Sequence, residues 1–490
     1  MVRLGIVWLI LLLVACDRTG PDAIVFAVAT APSVLDPRLA GDAASERINA
    51  LLYDRLVSID RQGRAQPAMA VWRAVDDRHF EFTLRPGRAV FSDGRLPDAT
   101  DVVATYRSVL DKTLGSPHAG ALAHIDAITA VSPDKIDVRL SRPDPMLPSR
   151  LTVGIVPASL ADSARLARRP TGSGAFEFVR WRENGGLLLR RRTDAQLVAI
   201  EPVADPTMRV LKLLRGEADL LQNDLPSELY DYLRDQQAVA VEQRPGTTFA
   251  YLGFNLADPV LSNRDVRAAI AHAIDRDAII RYLFGGRAQK AEAVLRPGHW
   301  AGNDALKAYQ FDPDLARQYL ARAGFGTHWP LHLSYKTSTD PFRLRIAHVF
   351  KDQLADVGIE LDIASYDWGT FFGDIKAGRF QLYSLAWVGV NTPDILRYAF
   401  HSDSRPPGGA NRGNYHSRDV DDLLDAAATL EPGKARPLYA AAQRQIHDDI
   451  VYVPLWYESN IAAMRTVAGY RPGHDGNYLA LGAVRRADER

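Results

Sequence analysis

The stretch that decides the fold is AYLGFNLADPVLSNRDVRAAIAHAIDRDAIIRYLFGG, residues 250–286. Its first part, residues 250–257, is a short apolar run followed by turn-forming residues, which predicts a buried strand. Its second part, residues 265–286, has apolar side chains three and four positions apart and ends at Gly285. This spacing predicts a single helix closed by a glycine. A buried strand that leads into an apolar helix is typical of a layered α/β protein.

Strand and helix patterns alternate on both sides of this stretch. Before it, AIVFAVA (23–29) has the composition of a buried strand. After it, residues 342–357 predict a helix that ends at Gly358, and the alternating residues 359–363 predict the strand that follows. The sequence therefore predicts a mixed α/β fold along its whole length.

The composition is that of an ordinary globular protein. The chain has 490 residues, and its 59 Lys plus Arg balance 59 Asp plus Glu, so the formal net charge is zero. With 47% hydrophobic and 24% charged residues, a disordered, collagen-like or coiled-coil architecture is excluded. The balanced charge gives no support for a nucleic-acid partner. The length predicts about three ordinary domains or two large lobes.

The amino terminus carries an apolar leader that ends at the only cysteine. It reads MVRLGIVWLILLLVAC (1–16), with Arg3 ahead of an unbroken apolar run over residues 4–15. This run is shorter than the roughly 20 apolar residues of a membrane-spanning helix, so it predicts a secretory signal. One cysteine excludes an internal disulfide and a cysteine-rich metal site.

The end of the leader, LVAC (13–16), resembles the lipobox of bacterial lipoproteins. The resemblance implies removal of residues 1–15 as a signal peptide and attachment of lipid to Cys16 as the membrane anchor. Asp17 resembles an inner-membrane retention signal, so the mature protein is expected on the periplasmic side of the inner membrane. The alternative is a signal without lipidation, followed by an incidental cysteine.

Further segments match one known family in their order along the chain. They are SVLDP (33–37), LLYDRLVSID (51–60), FTLRPGRAVFSDGRLPDATDVVATY (82–106), GSGAFEF (172–178), LLRGEADL (213–220), YLGFN (251–255), RDVRAAIAHAIDRDAII (264–280), FDPDLARQYLARAGF (311–325), VDDLLDAAA (420–428) and YVPLWY (452–457). Together they resemble the extracellular solute-binding proteins of family 5, which serve ABC importers of peptides, dipeptides and nickel.

The resemblance implies the two-lobed α/β fold of type II periplasmic binding proteins. Lobe I is expected to comprise residues 16–255 and 457–490, with an inserted subdomain at about 46–165, and lobe II to comprise residues 256–456. The chain would cross between the lobes at two short hinges. The hinge candidates are Gly253, Asn255, Leu455 and Tyr457.

The function that the resemblance implies is capture of a small solute, an oligopeptide before others, by hinge closure. The closed protein would deliver the solute to an ABC permease, acting as a monomer without a cofactor. A non-peptide solute, such as an opine, an oligosaccharide or a metal chelate, is the alternative within this class. A sensory or interaction protein and a lipid-anchored hydrolase are the alternatives outside it.

The segment LAWVGVNTPDIL (385–396) is the main candidate for ligand contact. In the family, the strand after a tryptophan offers main-chain partners to the ligand, and an Asp three residues after that tryptophan pairs the ligand ammonium. Trp387 matches the tryptophan, but Val390 stands where the Asp is expected. The candidate residues of the segment are Trp387, Val388, Gly389, Val390, Asn391 and Asp394.

Two interpretations of Val390 stay open. Either Asp394 takes over the role of the missing carboxylate, or the ligand has no free amino terminus at this point. Thr392-Pro393 should redirect the chain before Asp394, which favours the second interpretation. A buried ammonium without a carboxylate would lose a charge-assisted hydrogen bond.

Other candidates have structural alternatives of similar weight. Tyr366 and Trp368 resemble a ligand-facing aromatic segment, but could equally be core residues. Ser33 and Leu35 follow the first strand, where a plain turn is equally expected. Arg412 in GANRGNYH (409–416) could pair a ligand carboxylate or be a solvated loop arginine. Its neighbours Asn411 and Tyr415 are placed at the rim of the cleft.

The chain lacks local catalytic and metal-binding motifs. Gly172-Ser173-Gly174 is not a nucleophile elbow, and neither an H-E-x-x-H motif nor a phosphate loop is present. The twelve histidines lack metal-ligand spacing. A catalytic triad assembled from distant residues stays open at this stage. The sequence therefore predicts a binding protein with neither catalytic nor metal residues.

Overall fold

The computed structural model describes residues 23–326 and 329–487. The predicted signal peptide, residues 1–15, and the predicted lipidation site, Cys16, lie outside these residues. Within the described ranges, no helix combines the length and the apolarity that spanning a bilayer requires.

The described chain alternates strands and helices, as the sequence predicts. The strands are β1 (Ile24–Val28), β2 (Val57–Ile59), β3 (Ala65–Pro67), β4 (Ala70–Asp76), β5 (His79–Leu84), β6 (Ile125–Ser132), β7 (Lys135–Leu140), β8 (Phe176–Trp181), β9 (Leu187–Arg191), β10 (Leu197–Pro202), β11 (Leu220–Gln222), β12 (Ala240–Phe254), β13 (Ala288–Lys290), β14 (Leu331–Ser338), β15 (Ile359–Tyr366), β16 (Leu382–Trp387), β17 (Tyr452–Met464), β18 (Val467–Ala468) and β19 (Arg485–Arg486).

The helices cover both faces of the main sheet and one face of a smaller sheet. They are α1 (Ala43–Leu52), α2 (Ala99–Leu110), α3 (Ala119–Leu122), α4 (Leu147–Arg150), α5 (Pro206–Arg215), α6 (Ser227–Arg234), α7 (Arg264–Ala273), α8 (Arg276–Tyr282), α9 (Pro313–Arg322), α10 (Pro341–Ala355), α11 (Trp368–Lys376), α12 (Asp394–Phe400), α13 (Arg418–Ala428) and α14 (Pro432–Asp448). Three short 3₁₀ helices lie at Ala158–Leu160, Ala164–Ala167 and Leu479–Ala483.

One continuous sheet runs through two lobes. Its strands lie in the order β15-β14-β16-β12-β17-β11-β1-β10-β9-β8, and β13 pairs with β17 beside this path. Strands β8–β11 and β1 belong to lobe I, whereas β14–β16 belong to lobe II. The long strands β12 and β17 are antiparallel to each other and pass from one lobe into the other. The predicted two-lobed α/β fold is confirmed.

An inserted subdomain occupies the chain between α1 and residue 155. Strands β4, β5, β7 and β6 form its antiparallel sheet, and α2 packs against it. Its buried apolar cluster extends from Leu56 to Ile155. Helix α1 and Leu166 pack instead in the core of lobe I. The insertion that the sequence places at about 46–165 is therefore somewhat shorter in the structure.

The helix predicted over residues 265–286 is wrong as a single element. The chain forms α7, breaks at Ile274 and starts again as α8. The carboxylate of Asp275 accepts a hydrogen bond from the Ala278 amide, so it caps a new helix at this point. An N-cap residue takes non-helical backbone angles, which interrupts an otherwise continuous apolar pattern.

The pairing of the two crossing strands is interrupted at Gly246. Pro245 pairs with Ser459 and Thr248 with Glu458, so Gly246 and Thr247 have no partners in the register. A β-carbon at Gly246 would lie 2.2 Å from the carbonyl oxygen of Glu458, so glycine is needed for this close approach.

The four hinge candidates lie on the lobe II side of that interruption. Gly253 packs against the Tyr383 ring, and Asn255 bonds the Phe380 carbonyl oxygen. Leu455 is fully buried in the lobe II core, and the Tyr457 hydroxyl bonds the carbonyl oxygen of Ala293. These side chains fix the strands within lobe II, whereas the interruption at Gly246 lies between the lobes.

Candidate ligand-binding site

Strand β16 positions Trp387 at the last rung of its ladder with β12. Trp387 pairs with Phe249 in the register. Its ring lies parallel to Tyr251, with centroids 6.2 Å apart, and edge-on to Tyr398 at 5.9 Å. The indole is half-buried, so one part of it packs on lobe II and another part stays available.

The backbone after Trp387 is open to solvent. Within the described residues, neither the amide N–H nor the carbonyl oxygen of Val388, Gly389 or Val390 has an intramolecular hydrogen-bond partner. Gly389 has φ of +66°, a conformation that glycine adopts without strain, and the Val388 side chain is 54% exposed. Backbone polar groups need partners, so this segment can pair with an extended chain from outside.

The open segment ends at Asn391, which contacts His299 of lobe II and Gly63 of the inserted subdomain. Its carbonyl oxygen lies 3.2 Å from His299 Nε2. The Ala301 amide donates to His299 Nδ1, so Nε2 carries the proton and donates to Asn391. Burial lowers the pKa of His299 to about 4, which keeps the ring neutral. Gly63 of the subdomain packs against both groups; a β-carbon there would lie 2.0 Å from His299 Nε2.

Arg412 lies beside Trp387. Its guanidinium carbon is 4.7 Å from the Trp387 ring centroid and 5.3 Å from that of Phe372. One guanidinium N–H donates to the Tyr251 hydroxyl over 3.0 Å. Burial acts to lower the pKa of Arg412, but the phenol groups of Tyr251 and Tyr383 outweigh it and raise that pKa. The side chain is a fixed cation among aromatic rings, not a solvated loop arginine.

Helix α11 brings Trp368 into the same layer of rings. Trp368 is 60% exposed, and its ring stacks on Phe372 with centroids 5.4 Å apart. The rings of Trp368, Phe372, Trp387 and Tyr251, with Arg412 between the second and third, form a continuous series that we term the aromatic layer. Tyr366 lies at the exposed end of β15, with Lys336 Nζ 5.3 Å from its ring centroid.

A pocket opens beneath the aromatic layer. The cavity is small, with a volume of about 30 Å³. Tyr251, Tyr383, Trp387 and Tyr452 supply aromatic walls, and Arg412 is the one charged side chain among the described residues that line it. This volume is room for about two water molecules, so the cavity could admit one small polar group of a ligand but not a whole ligand.

Asp394 does not present a free carboxylate. It forms an ion pair with Arg150 of the inserted subdomain. The Arg150 Nε also donates to Asp144 over 2.8 Å, and Asp144 lies 2.7 Å from His124 Nε2. Burial acts to lower the pKa of Arg150, but Asp394 and Asp144 outweigh it and raise that pKa. The suggestion that Asp394 replaces the missing ammonium partner stays a prediction, and the ion pair of one carboxylate oxygen with Arg150 counts against it.

Several other candidates have structural roles. Ser33 bonds Asp42 and Ser45 at the start of α1, and Leu35 is buried in the lobe I core. The Asn411 side chain bonds main-chain groups of His401 and Tyr415, and the Tyr415 hydroxyl bonds Asp449. The rim position predicted for Asn411 and Tyr415 is wrong, because both are buried. Val390 is half-buried against the lobe II core.

The sequence analysis did not select Tyr251, Phe372, Tyr398 or Arg150. Phe372 lies four residues after Trp368, and Tyr398 four after Asp394, so helical spacing from a chosen candidate could have found both. Tyr251 lies within β12, where its apolar neighbours indicate only a buried strand. Nothing local marks Arg150, because its partner Asp394 is 244 residues away. Among the described residues there is no cluster of three or more potential metal-ligating side chains.

Two α/β lobes joined by crossing strands, with an open backbone segment facing the inserted subdomain, define a solute-binding protein. The family model "Bacterial extracellular solute-binding proteins, family 5 Middle" matches residues 64–406, and the chain belongs to this family.

Relatives that are named for different ligands match this chain over most of its length. A probable di/tripeptide-binding protein 5 of Pseudomonas aeruginosa is 28% identical, covering 86% of this chain and 87% of the relative. Heme-binding protein A of Haemophilus influenzae is 26% identical, covering 94% of each. The Helicobacter pylori periplasmic binding protein DppA, solved with the peptide STSA, superposes with a TM-score of 0.79 at 25% identity, covering 95% of this chain and 98% of that one.

Proposed function

We propose that the chain is the substrate-binding component of an ABC importer and that it captures a short peptide between its lobes. Lipid on Cys16 would hold it at the periplasmic face of the inner membrane, and a permease would receive the closed, loaded protein. In this account it binds its solute as a monomer and does not transform it. Family membership and the ligand classes named for its relatives support the proposal.

The open backbone of residues 388–390 is the observation that carries the peptide assignment. Its N–H and C=O groups lack partners within the described chain. A peptide laid alongside it would supply donors and acceptors for these groups, although the φ of +66° at Gly389 prevents a regular β-ladder. Such pairing uses no side-chain identity, which suits a receptor that accepts peptides of varied sequence.

Closure of the two lobes would bring the inserted subdomain into contact with lobe II beside residues 388–390. The Arg150–Asp394 ion pair and the packing of Gly63 against Asn391 are the contacts that would form on closing. We infer that the hinge lies where the β12–β17 pairing is interrupted, at Gly246 and Thr247. A ligand that touches both lobes would favour the closed state because it binds that state more tightly.

Isothermal titration calorimetry with mixed pools of di-, tri-, tetra- and pentapeptides tests the proposal. We expect saturable binding to at least one pool, with a dissociation constant near or below 1 μM. Heat-denatured protein serves as the control for non-specific heat. Absence of binding across all four pools would contradict the peptide assignment while leaving family membership intact.

A non-peptide solute is the second candidate, and Val390 is the observation that favours it. An apolar side chain at this position offers no charge to a peptide amino terminus. Native mass spectrometry of protein purified from its own cell envelope would distinguish the two. A retained mass that matches no peptide would support the second candidate against the first.

A further inference from the structure

Arg412 is a half-buried cation whose charge is not balanced within the described chain. No carboxylate oxygen of the described residues lies within ion-pair distance of its guanidinium, and its Nε is buried without a hydrogen-bond partner. A buried donor without a partner destabilises the folded protein, and more so when it is charged. The arginine is therefore held at an energetic cost that a bound anion would relieve.

The surroundings of Arg412 fix its position. The rings of Trp387 and Phe372 lie against the guanidinium, and the Tyr251 hydroxyl accepts one of its N–H groups. A planar guanidinium offers two parallel donors that match the two oxygens of a carboxylate. With its orientation fixed in advance, little side-chain entropy remains to be lost on binding.

The described lining residues of the pocket carry a positive charge but no negative charge. Arg412 is the one charged group among its described lining residues. Val390 contributes no acid, and Asp394 is paired with Arg150. The nearby Lys336 is already bonded to Asp374 over 2.6 Å. A ligand group that enters the pocket therefore meets the Arg412 guanidinium and no carboxylate among the described lining residues.

We propose that the pocket beneath the aromatic layer binds a carboxylate of the ligand through Arg412, so that the receptor selects anionic over neutral ligands. This inference rests on the proposed peptide-binding function. The carboxylate comes either from the carboxyl terminus of the peptide or from an acidic side chain, and both present the same two oxygens.

Calorimetry with four tripeptides separates these sources. Ala-Ala-Ala and its carboxamide differ only in the terminal charge. The carboxamides of Ala-Glu-Ala and Ala-Gln-Ala differ only in the side-chain charge. We expect the wild-type protein to bind the charged member of at least one pair about 10- to 100-fold more tightly than its neutral match, the range for a charge-assisted hydrogen bond. The pair that shows the difference identifies the source.

Variants at Arg412 link that difference to this side chain. In Arg412→Gln we expect the preference for the charged peptide to disappear, and circular dichroism with thermal unfolding shows whether the variant is folded. Arg412→Lys should restore part of the preference, because it keeps the charge without the planar fork. Arg418→Gln, at an arginine 90% exposed, is the matched control and should behave as wild type.

The possible failures are distinguishable. Equal wild-type affinity for both members of each pair would overturn the carboxylate inference and leave the peptide function standing. An equal loss for charged and neutral peptides in both Arg412 variants would also overturn it, since that pattern indicates packing alone. No binding of any peptide by the wild-type protein would overturn the peptide function and this inference with it.

Discussion

Trp387 lies at the centre of the candidate site. It ends β16, stacks on Tyr251 and carries Arg412 over its ring. Aromatic rings contribute a large buried area together with a preferred geometry, and tryptophan is enriched among the residues that dominate binding energies. The open backbone begins at the next residue, so the ring also sets where that backbone starts.

Trp387→Ala is expected to weaken peptide binding by about tenfold or more, because it removes the ring that packs against Arg412 and that the proposed peptide would contact. Trp387→Phe should retain most of the affinity. Trp329→Ala removes an exposed tryptophan on lobe II and is the matched control. Unchanged affinity in Trp387→Ala, measured by calorimetry, would show that the site is misplaced.

His299 gives a pH dependence whose sign can be worked out. Its pKa is lowered by burial from 6.5 to about 4, so between these values the unfolded chain binds a proton that the folded chain does not. The free energy of unfolding therefore falls as pH drops from about 6.5 towards 4, by at most about 1.4 kcal/mol per pH unit.

His299→Gln keeps an N–H donor for the Asn391 carbonyl oxygen but removes the titration. We expect its free energy of unfolding to fall less than that of the wild type between pH 7 and pH 5, measured by urea denaturation. Parallel pH profiles for the two proteins would contradict the assignment of a neutral, buried His299.

At the scale of elements, the crossing of β12 and β17 connects the lobes. The two strands are part of both lobe sheets, and their register is interrupted where Gly246 meets the Glu458 carbonyl oxygen. The register shifts a second time between Ala250 and Tyr251, beside Leu455. A short irregular segment between paired stretches is the arrangement that a hinge requires.

Gly246→Ala is expected to destabilise the fold by roughly 1–3 kcal/mol, because its β-carbon would overlap the Glu458 carbonyl oxygen. Gly433→Ala is the matched control: nothing lies within 4 Å of a β-carbon at that position in α14, so the change should be neutral or slightly stabilising. Thermal unfolding measures both. Equal melting temperatures for the two variants would contradict the close approach at Gly246.

Helices and strands follow from local sequence patterns more directly than the contacts between them do. Local apolar spacing predicted the end of β12 and the helix before Gly358, because the burial of those side chains follows from their own periodicity. It missed that the strand begins at Ala240 and ends at Phe254, three residues before the predicted end at residue 257. The break at Asp275 was missed, because a capping carboxylate competes with an apolar pattern that remains regular across it.

The individual residues of the candidate site could be predicted from the sequence, but their arrangement in space could not. Trp387, Trp368 and Arg412 stood out as residues, but their assembly into one layer depends on β12, β16 and α11 meeting in space. The ion pair of Asp394 with Arg150 joins residues 244 positions apart, and a single sequence carries no signal for such a pair.

For the whole molecule, the structure has the inserted subdomain in contact with lobe II. Besides the Arg150–Asp394 ion pair, Met146 of the subdomain packs among buried residues of lobe II. Near the crossing strands, Arg287 of lobe II bonds Asp231 of lobe I over 2.9 Å. Contacts of this kind stabilise the closed state relative to the open one.

Asp394→Asn is expected to lower peptide affinity about two- to fivefold by weakening the closed state, the scale of a partly exposed ion pair. Small-angle scattering of the unliganded protein should then show a larger radius of gyration than the wild type. Asp422→Asn, at an exposed carboxylate on α13, is the control and should leave both quantities unchanged. A larger effect on affinity for one tripeptide than for others would indicate direct ligand contact instead.

The central claim is that a peptide pairs with the open backbone of residues 388–390. Amide hydrogen exchange of the segment 385–396, measured with and without a saturating peptide identified by calorimetry, tests it most directly. The account predicts that the amides of Val388, Gly389 and Val390 exchange rapidly in the free protein and become protected on binding. Saturable peptide binding that leaves their exchange rates unchanged would contradict it.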